Sequence, residues 1–124
     1  MRLDKAMIFV ADLDRMTAFY RDVLGLQPDE ATRTADWVDF KIAGGGGGLA
    51  LHAIPMQSAP TAEAGSPPAP REQQSCKLIF AVADIDRELA RLQGLDVPIL
   101  HRPWGGWDFV DPEGNVLGVR AAGA

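Results

Sequence analysis

Histidine, paired carboxylates, tryptophan, serine and a single cysteine are the residues of this chain that could do chemistry. His52 stands in the apolar stretch Leu49-Ala50-Leu51-His52-Ala53-Ile54. There it can be a hydrogen-bonded wall residue, a donor or acceptor to a ligand, or a candidate general base near neutral pH. His101 precedes Arg102 at the end of an apolar run, a place that points to solvent. Ser58, Ser66 and Ser75 lack the Gly-x-Ser-x-Gly context of a nucleophile. Cys76 is alone, which rules out an intrachain disulfide and a cysteine metal cluster. Trp37, Trp104 and Trp107 are all the tryptophans, and the last two flank Gly105-Gly106. Aromatic walls stack planar or cationic ligands, although they also serve as core and dimer contacts. Trp37, alternating with Asp39 and Lys41 on one strand face, is the least core-like of the three.

The carboxylate pairs Asp12 with Asp14 and Asp84 with Asp86 belong to a stretch that occurs twice. Val10-Ala11-Asp12-Leu13-Asp14-Arg15 returns as Val82-Ala83-Asp84-Ile85-Asp86-Arg87, with Leu exchanged for Ile at one position. An apolar run precedes each copy, Ala6 to Val10 and Leu78 to Val82, and a pattern of period three to four follows. The first Asp therefore reads as a helix N-cap after a strand, and the acidic pairs need no catalytic role. Two copies of one module are expected rather than an array.

The elements that must position the candidate residues follow in order. A strand from about Leu3 to Val10 leads into a helix carrying Leu13, Met16, Phe19, Tyr20, Val23 and Leu24, closed by Gly25 in a left-handed conformation. Gln27 to Thr34 has modest strand character, weakened by Pro28. Trp37 to Ile42 alternates, placing Val38, Phe40 and Ile42 on one face and Trp37, Asp39 and Lys41 on the other. Gly44 to Gly48 precedes a strand and no Lys-Ser/Thr follows, so a flexible hairpin tip is expected in place of a phosphate cradle. Pro55, Pro60, Pro67, Pro68 and Pro70 mark 55–75 as a connector between module 1 (1–54) and module 2 (76–124). Module 2 offers a strand ending at Val82, a helix with Ile85, Leu89 and Leu92 terminated by Gly94, and strands Val97 to His101, Gly105 to Val110 and Val116 to Arg120. Asp111-Pro112-Glu113-Gly114-Asn115 joins the last two as a hairpin turn. Each half reads strand, helix and three strands, an α+β domain built from two βαβββ modules.

With 124 residues the chain is one domain by size, and its 47% apolar and 23% charged residues are ordinary globular values. A net charge of −5 and a pI near 4.8 without a basic cluster argue against nucleic acid or an anionic membrane surface as partner. No run approaches the roughly 18 to 20 apolar residues of a membrane span, and the N-terminus lacks the pattern of a secretory signal. A cytoplasmic location is expected.

The duplicated module resembles the vicinal oxygen chelate superfamily, which includes glyoxalase I, extradiol dioxygenases and the bleomycin-resistance proteins. The resemblance rests on the two Val-x-Asp stretches, Phe19-Tyr20, Leu24-Gly25-Leu26, Pro103-Trp104-Gly105 and Asp111-Pro112-Glu113-Gly114-Asn115. It implies a half-barrel cavity with helices outside and, in metal-dependent members, four His, Glu or Gln ligands from the first and last strands of each module. Here the first-strand positions fall on Lys5 and Lys77, whose spacing is that of the repeat itself, and the last-strand positions on His52 and Gly118. Only His52 could bind a divalent metal, because ammonium groups have no lone pair at neutral pH and glycine has no side chain. No cofactor or metal is expected. Lys5 and Lys77 would either snorkel at the rim or turn inward, favouring an anionic or carbonyl-bearing ligand or pairing with Asp39 or Asp108. The sequence thus points to a metal-free binding protein of the bleomycin-resistance type, holding a planar or aromatic small molecule among Trp37, Asp39, His52, Trp104, Trp107, Lys5 and Lys77. The alternatives are an enzyme of the superfamily (lyase, isomerase or dioxygenase), either with metal ligands at other positions or metal-free with His52 as base, and a scaffold with a closed cavity. The resemblance also implies a homodimer.

Overall fold

The computed structural model describes residues 1–41, 48–55 and 68–123. Ile42, the glycine tip from Gly44 to Gly47 and most of the connector, including Pro60, Pro67, Ser58 and Ser66, lie outside these residues. The chain divides into two compact units, Met1–Ala59 and Pro60–Ala124. Each contains a four-stranded mixed sheet and follows the βαβββ order expected from the sequence.

In the first unit, β1 (Lys5–Val10) leads to α1 (Leu13–Ala18), then to β2 (Gln27–Pro28), β3 (Trp37–Lys41) and β4 (Gly48–Ala53), in the sheet order β1-β4-β3-β2. β1 lies parallel to β4, and the remaining pairs are antiparallel. Asp12 caps α1 by accepting from the Arg15 N–H at 3.0 Å, as its position before the periodic segment requires. The expected single helix instead widens after Ala18 into a π-helical turn, Phe19–Val23. The wider turn lets two adjacent rings face inward: Phe19 and Tyr20 are both buried and meet edge to face at 5.5 Å. Gly25 then takes φ 75°, ending the helix where the sequence indicated. Tyr20, Met16 and Leu13 join the sheet residues Val10, Val38, Phe40, Leu49 and Leu51 among the buried apolar side chains. Burial of each such side chain is worth about 1.5 to 3 kcal/mol. β2 is shorter than the modest strand expected over Gln27 to Thr34, because Asp29 turns the chain by accepting from the Ala31 N–H.

The second unit repeats the programme with β5 (Ile79–Val82), α2 (Ile85–Gly94), β6 (Ile99–His101), β7 (Trp107–Val110) and β8 (Val116–Ala121), in the order β5-β8-β7-β6. Asp84 caps α2 through the Arg87 N–H at 3.0 Å. Gly94 is the last residue of this helix, as expected, but does not itself take the left-handed conformation. It remains in the last turn, Leu95 is the C-cap, and Asp96 takes the left-handed φ of 58° while the Val97 N–H closes back on the Leu92 carbonyl at 3.1 Å. Asp tolerates that conformation better than most non-glycine residues, so the chain can use one more residue before it turns. Gly105 belongs to the turn before β7 rather than to the strand, with φ 95°. The 111–115 turn is as expected, with Gly114 at φ 88° and the Asp111 carboxylate accepting from the backbone of Glu113 and Asn115.

The described end of the connector packs on this second unit. The Arg71 N–H donates to the Gly114 carbonyl at 2.8 Å, and the Gln74 amide donates to the Val116 carbonyl at 2.8 Å. A Cβ on Gly114 would meet the Ala69 carbonyl oxygen at 2.4 Å, so this close passage depends on glycine. Among the described residues, no helix is long and apolar enough to cross a membrane.

Candidate functional site

Strand alternation places Lys5, Trp37, Asp39 and His52 on the face of the first sheet opposite its helix-side core. Trp37 lies beside His52 and Asp39 beside Ala50 across the β3–β4 ladder. From β1, Lys5 reaches across to Asp39, Nζ to Oδ1 at 2.8 Å. The second oxygen of Asp39 accepts from the Trp37 indole N–H at 2.7 Å and from the Thr32 hydroxyl at 3.3 Å. Partial burial works to raise the Asp39 pKa, but the Lys5 ammonium and the indole and hydroxyl donors outweigh it and hold the carboxyl below its ordinary range. The Asp39 hydrogen bond, against a smaller desolvation cost, raises Lys5 above its ordinary value. The same ammonium stands 5.6 Å from the Trp37 ring centroid. His52 sits between the Phe9 and Trp37 rings, at 6.0 and 5.6 Å, with Nε2 3.8 Å from an Asp36 oxygen.

The second unit builds a related cluster. Lys77 Nζ lies 2.8 Å from Asp108 Oδ1, and Arg102 Nε donates to Asp108 Oδ2 at 2.8 Å. The Asp108 side chain is only 4% exposed, so two cations converge on a buried carboxylate. Arg102 Nη1 also meets both Glu72 oxygens at 3.2 Å. A Cβ on Gly118 would lie 2.9 Å from Lys77 Cε and 3.2 Å from Asp108 Oδ1, so the ion pair passes directly over that glycine.

Register corrects one assignment made by counting along the chain. Met7 pairs with Ala50 in the first sheet and Ile79 with Gly118 in the second, and these first-strand residues are repeat mates. Gly118 is therefore the counterpart of Ala50, while His52, paired with Phe9, corresponds to Arg120, paired with Ala81. Counting slips because the connecting segments differ in length between the modules. In both units the Lys-to-Asp bridge crosses a residue with little or no side chain.

The same register explains the tryptophans. The spacing that carries Asp39 to Asp108 carries Trp37 to Gly106. An ideal Cβ on Gly106 would fall 1.7 Å from the Trp104 ring, so the Trp104 indole occupies the volume that a side chain at 106 would fill. Trp104 is 72% exposed there. Trp107 alternates away from Asp108; it is buried with its ring 6.3 Å from Phe109. His101 is exposed, as its neighbour suggested.

Two cavities adjoin the second cluster. One of about 370 Å³ is bordered by Glu72, Gln74, Lys77, Arg102, Trp104 and Asp108. The other, about 400 Å³, shares Lys77, Trp104 and Asp108 and adds Ile79, Ile85 and Trp107. Both fall in the size range of small-molecule sites. Arg102 and Glu72 were not among the site residues read from sequence. The matching Asp39-Phe40 and Asp108-Phe109 pairs were an available sign for Asp108; nothing local marked Glu72.

Donor chemistry does not fit a divalent metal at the positions the family resemblance implies. Each lysine is engaged as a cation with its own carboxylate, Gly118 and Ala50 offer no ligand, and among the described residues no three His, Cys, Asp or Glu side chains form a metal-holding group.

A model of the family described as "Glyoxalase/Bleomycin resistance protein/Dioxygenase superfamily" matches residues 2–119. No curated protein matches the chain. Among solved structures, lactoylglutathione lyase from Agrobacterium tumefaciens is 26% identical, with 97% of this chain and 92% of that one covered and a TM-score of 0.64. The fosfomycin resistance protein FosX from Listeria monocytogenes is 17% identical, covering 96% and 90%, at a TM-score of 0.69. An integron cassette protein from the mobile metagenome of a Halifax Harbour sewage outfall is 20% identical, covering 96% and 97%, at 0.67. At their identities, the latter two establish likeness of fold.

Proposed function

Because the chain belongs to the glyoxalase/bleomycin resistance protein/dioxygenase superfamily, we propose that it uses that scaffold as a metal-free binder of planar or aromatic small molecules. The observation that carries this reading is the pair of internal Lys–Asp bridges, Lys5 to Asp39 and Lys77 to Asp108. A fixed ammonium repels a divalent cation, and its carboxylate partner is already committed. What the faces offer is indole surface beside a few polar groups: Trp37 and His52 in the first unit, Trp104 over two cavities in the second. Binding would proceed by burial and stacking, with no bond made or broken. The protein is taken as cytoplasmic and as a homodimer, for which the exposed Met7 and Phe9 of edge strand β1 and Ile79 of edge strand β5 supply apolar surface.

Elemental analysis of the purified protein, followed by tryptophan fluorescence titration with a panel of aromatic antibiotics and metabolites, tests this. Less than stoichiometric metal and saturable quenching that weakens in Trp37→Ala or Trp104→Ala are the expected results. Stoichiometric zinc, nickel, iron or manganese would overturn the metal-free reading. Unaltered quenching in both variants would move the site elsewhere. A second reading, a lyase or isomerase using His52 as base, draws support from the Asp36 carboxylate, which stands 3.8 Å from His52 Nε2. Substrate turnover abolished in His52→Ala would favour it.

A further inference from the structure

The two clusters share a plan and differ in charge. In the first unit Asp39 takes one cation, Lys5, and its second oxygen is met by the neutral donors Trp37 and Thr32. In the second unit the corresponding Asp108 takes Lys77 on one oxygen and Arg102 on the other. Around Asp108 this leaves two cations against one buried carboxylate. The surplus is balanced by Glu72, which comes from the segment after the connector and whose side chain is 50% exposed. Glu72 thus presents a carboxylate to Arg102 at the border of the 370 Å³ cavity, while the Trp104 indole forms part of the same border.

We propose that this cavity of the second unit is a binding site for aromatic carboxylates, in which the ligand carboxylate displaces Glu72 from Arg102 and the ligand ring lies against Trp104. The inference deepens the aromatic-binder reading and rests on it. Asp108 is buried and holds Arg102 through Nε, which keeps the guanidinium in place while Nη1 is directed at Glu72, itself on the cavity border. The surplus positive charge favours an anion over its neutral isostere, and the planar guanidinium suits a carboxylate. Glu72 is the residue best able to yield, since it is half exposed and can be rehydrated on leaving. Trp104 lies in the turn that the Arg102 N–H closes onto the Gly106 carbonyl at 2.8 Å, and it is mostly exposed, so its indole can shift to meet a ring.

Isothermal titration of the full chain with 2-naphthoate and 2-naphthamide tests the proposal, because the probes share a ring system and differ in charge. The expected result is a preference of about tenfold for the carboxylate, corresponding to ~1.4 kcal/mol. Glu72→Gln should tighten naphthoate several-fold without tightening naphthamide, because it removes the competing anion from a solvent-exposed position. Arg102→Gln should erase the preference, and Trp104→Ala should weaken both probes. Equal affinity for the two probes, with no response to Glu72→Gln, would overturn the carboxylate site and leave the aromatic reading standing. Weaker naphthoate binding in Glu72→Gln would make Glu72 a wall of the site and also overturn the proposal, as would unchanged affinities in Trp104→Ala. Failure of both probes to bind would count against the aromatic reading itself. Glu72→Gln keeps the test decisive if Arg102→Gln does not fold.

Discussion

At the scale of single residues, the two aspartates that anchor the clusters differ in what their loss should cost. Asp108 is the more deeply buried and serves two cations, so Asp108→Asn takes from Lys77 the carboxylate it meets at 2.8 Å and leaves Arg102 with Glu72 alone. Because both cations retain some access to water, the expected loss is about 2 to 4 kcal/mol, at or below the usual cost of breaking a buried pair, and larger than for Asp39→Asn. Urea denaturation of both variants measures the difference. The Lys5–Asp39 pair should also be visible as pH dependence. The Asp39 pKa is lowered by folding, so its contribution is present above the unfolded value near 3.9 and is lost as pH falls through the folded value. The Lys5 pKa is raised, so its contribution is present below the ordinary lysine range and is lost as pH rises through the folded value. Stability of Asp39→Asn should therefore decline less steeply below about pH 4 than that of the unmodified protein, as followed by thermal melts across the acid range. Equal slopes would remove Asp39 from the acid limb. Lys5 and Lys77 were assigned equivalent places from sequence because the repeat aligns them without gaps. Their partners were left open, since Asp39 and Asp108 are reached across the sheet and no local rule fixes that reach.

At the scale of elements, the helix starts and the last turn carry the tests. Asp84→Ala removes the acceptor for the Arg87 N–H and should cost about 1 kcal/mol, the usual value for a helix cap. Gly114→Ala combines a left-handed φ of 88° with a Cβ 2.4 Å from the Ala69 carbonyl oxygen. Neither element can give freely, so a loss of about 2 kcal/mol or more is expected, with the 69–74 segment released from β8. Equilibrium unfolding measures the first effect, and amide hydrogen exchange at Arg71, which donates to Gly114, reports the second. The caps were legible because an Asp before a periodic apolar run has one main use. The π-helical turn and the left-handed closure at Asp96 after α2 were not. Both are set by side chains finding room in tertiary packing or by backbone closure after the helix, and periodicity registers neither.

At the scale of the whole molecule, the homodimer reading predicts concentration-dependent association. Sedimentation velocity should show a dimer at micromolar concentration, and replacing Met7, Phe9 and Ile79 with serine should shift the equilibrium toward monomer. Unchanged dimer in that triple variant would place the interface elsewhere. The sequence by itself determined the duplication, the βαβββ order, the family and the chemical mismatch of Lys5, Lys77 and Gly118 with a metal. These are properties of residue type and of periods two and three to four, which survive in one dimension. Tertiary structure decided that Gly118 matches Ala50 rather than His52, because strand register depends on hydrogen-bonded neighbours and not on distance along the chain. It likewise decided that Trp104 fills the space above Gly106 and that Trp107 turns into the core. It brought Glu72 to Arg102 from a segment whose composition suggested only a connector. Charge balance over that distance is a matter of through-space contact, which is why the surplus cation of the second unit became visible only in the fold.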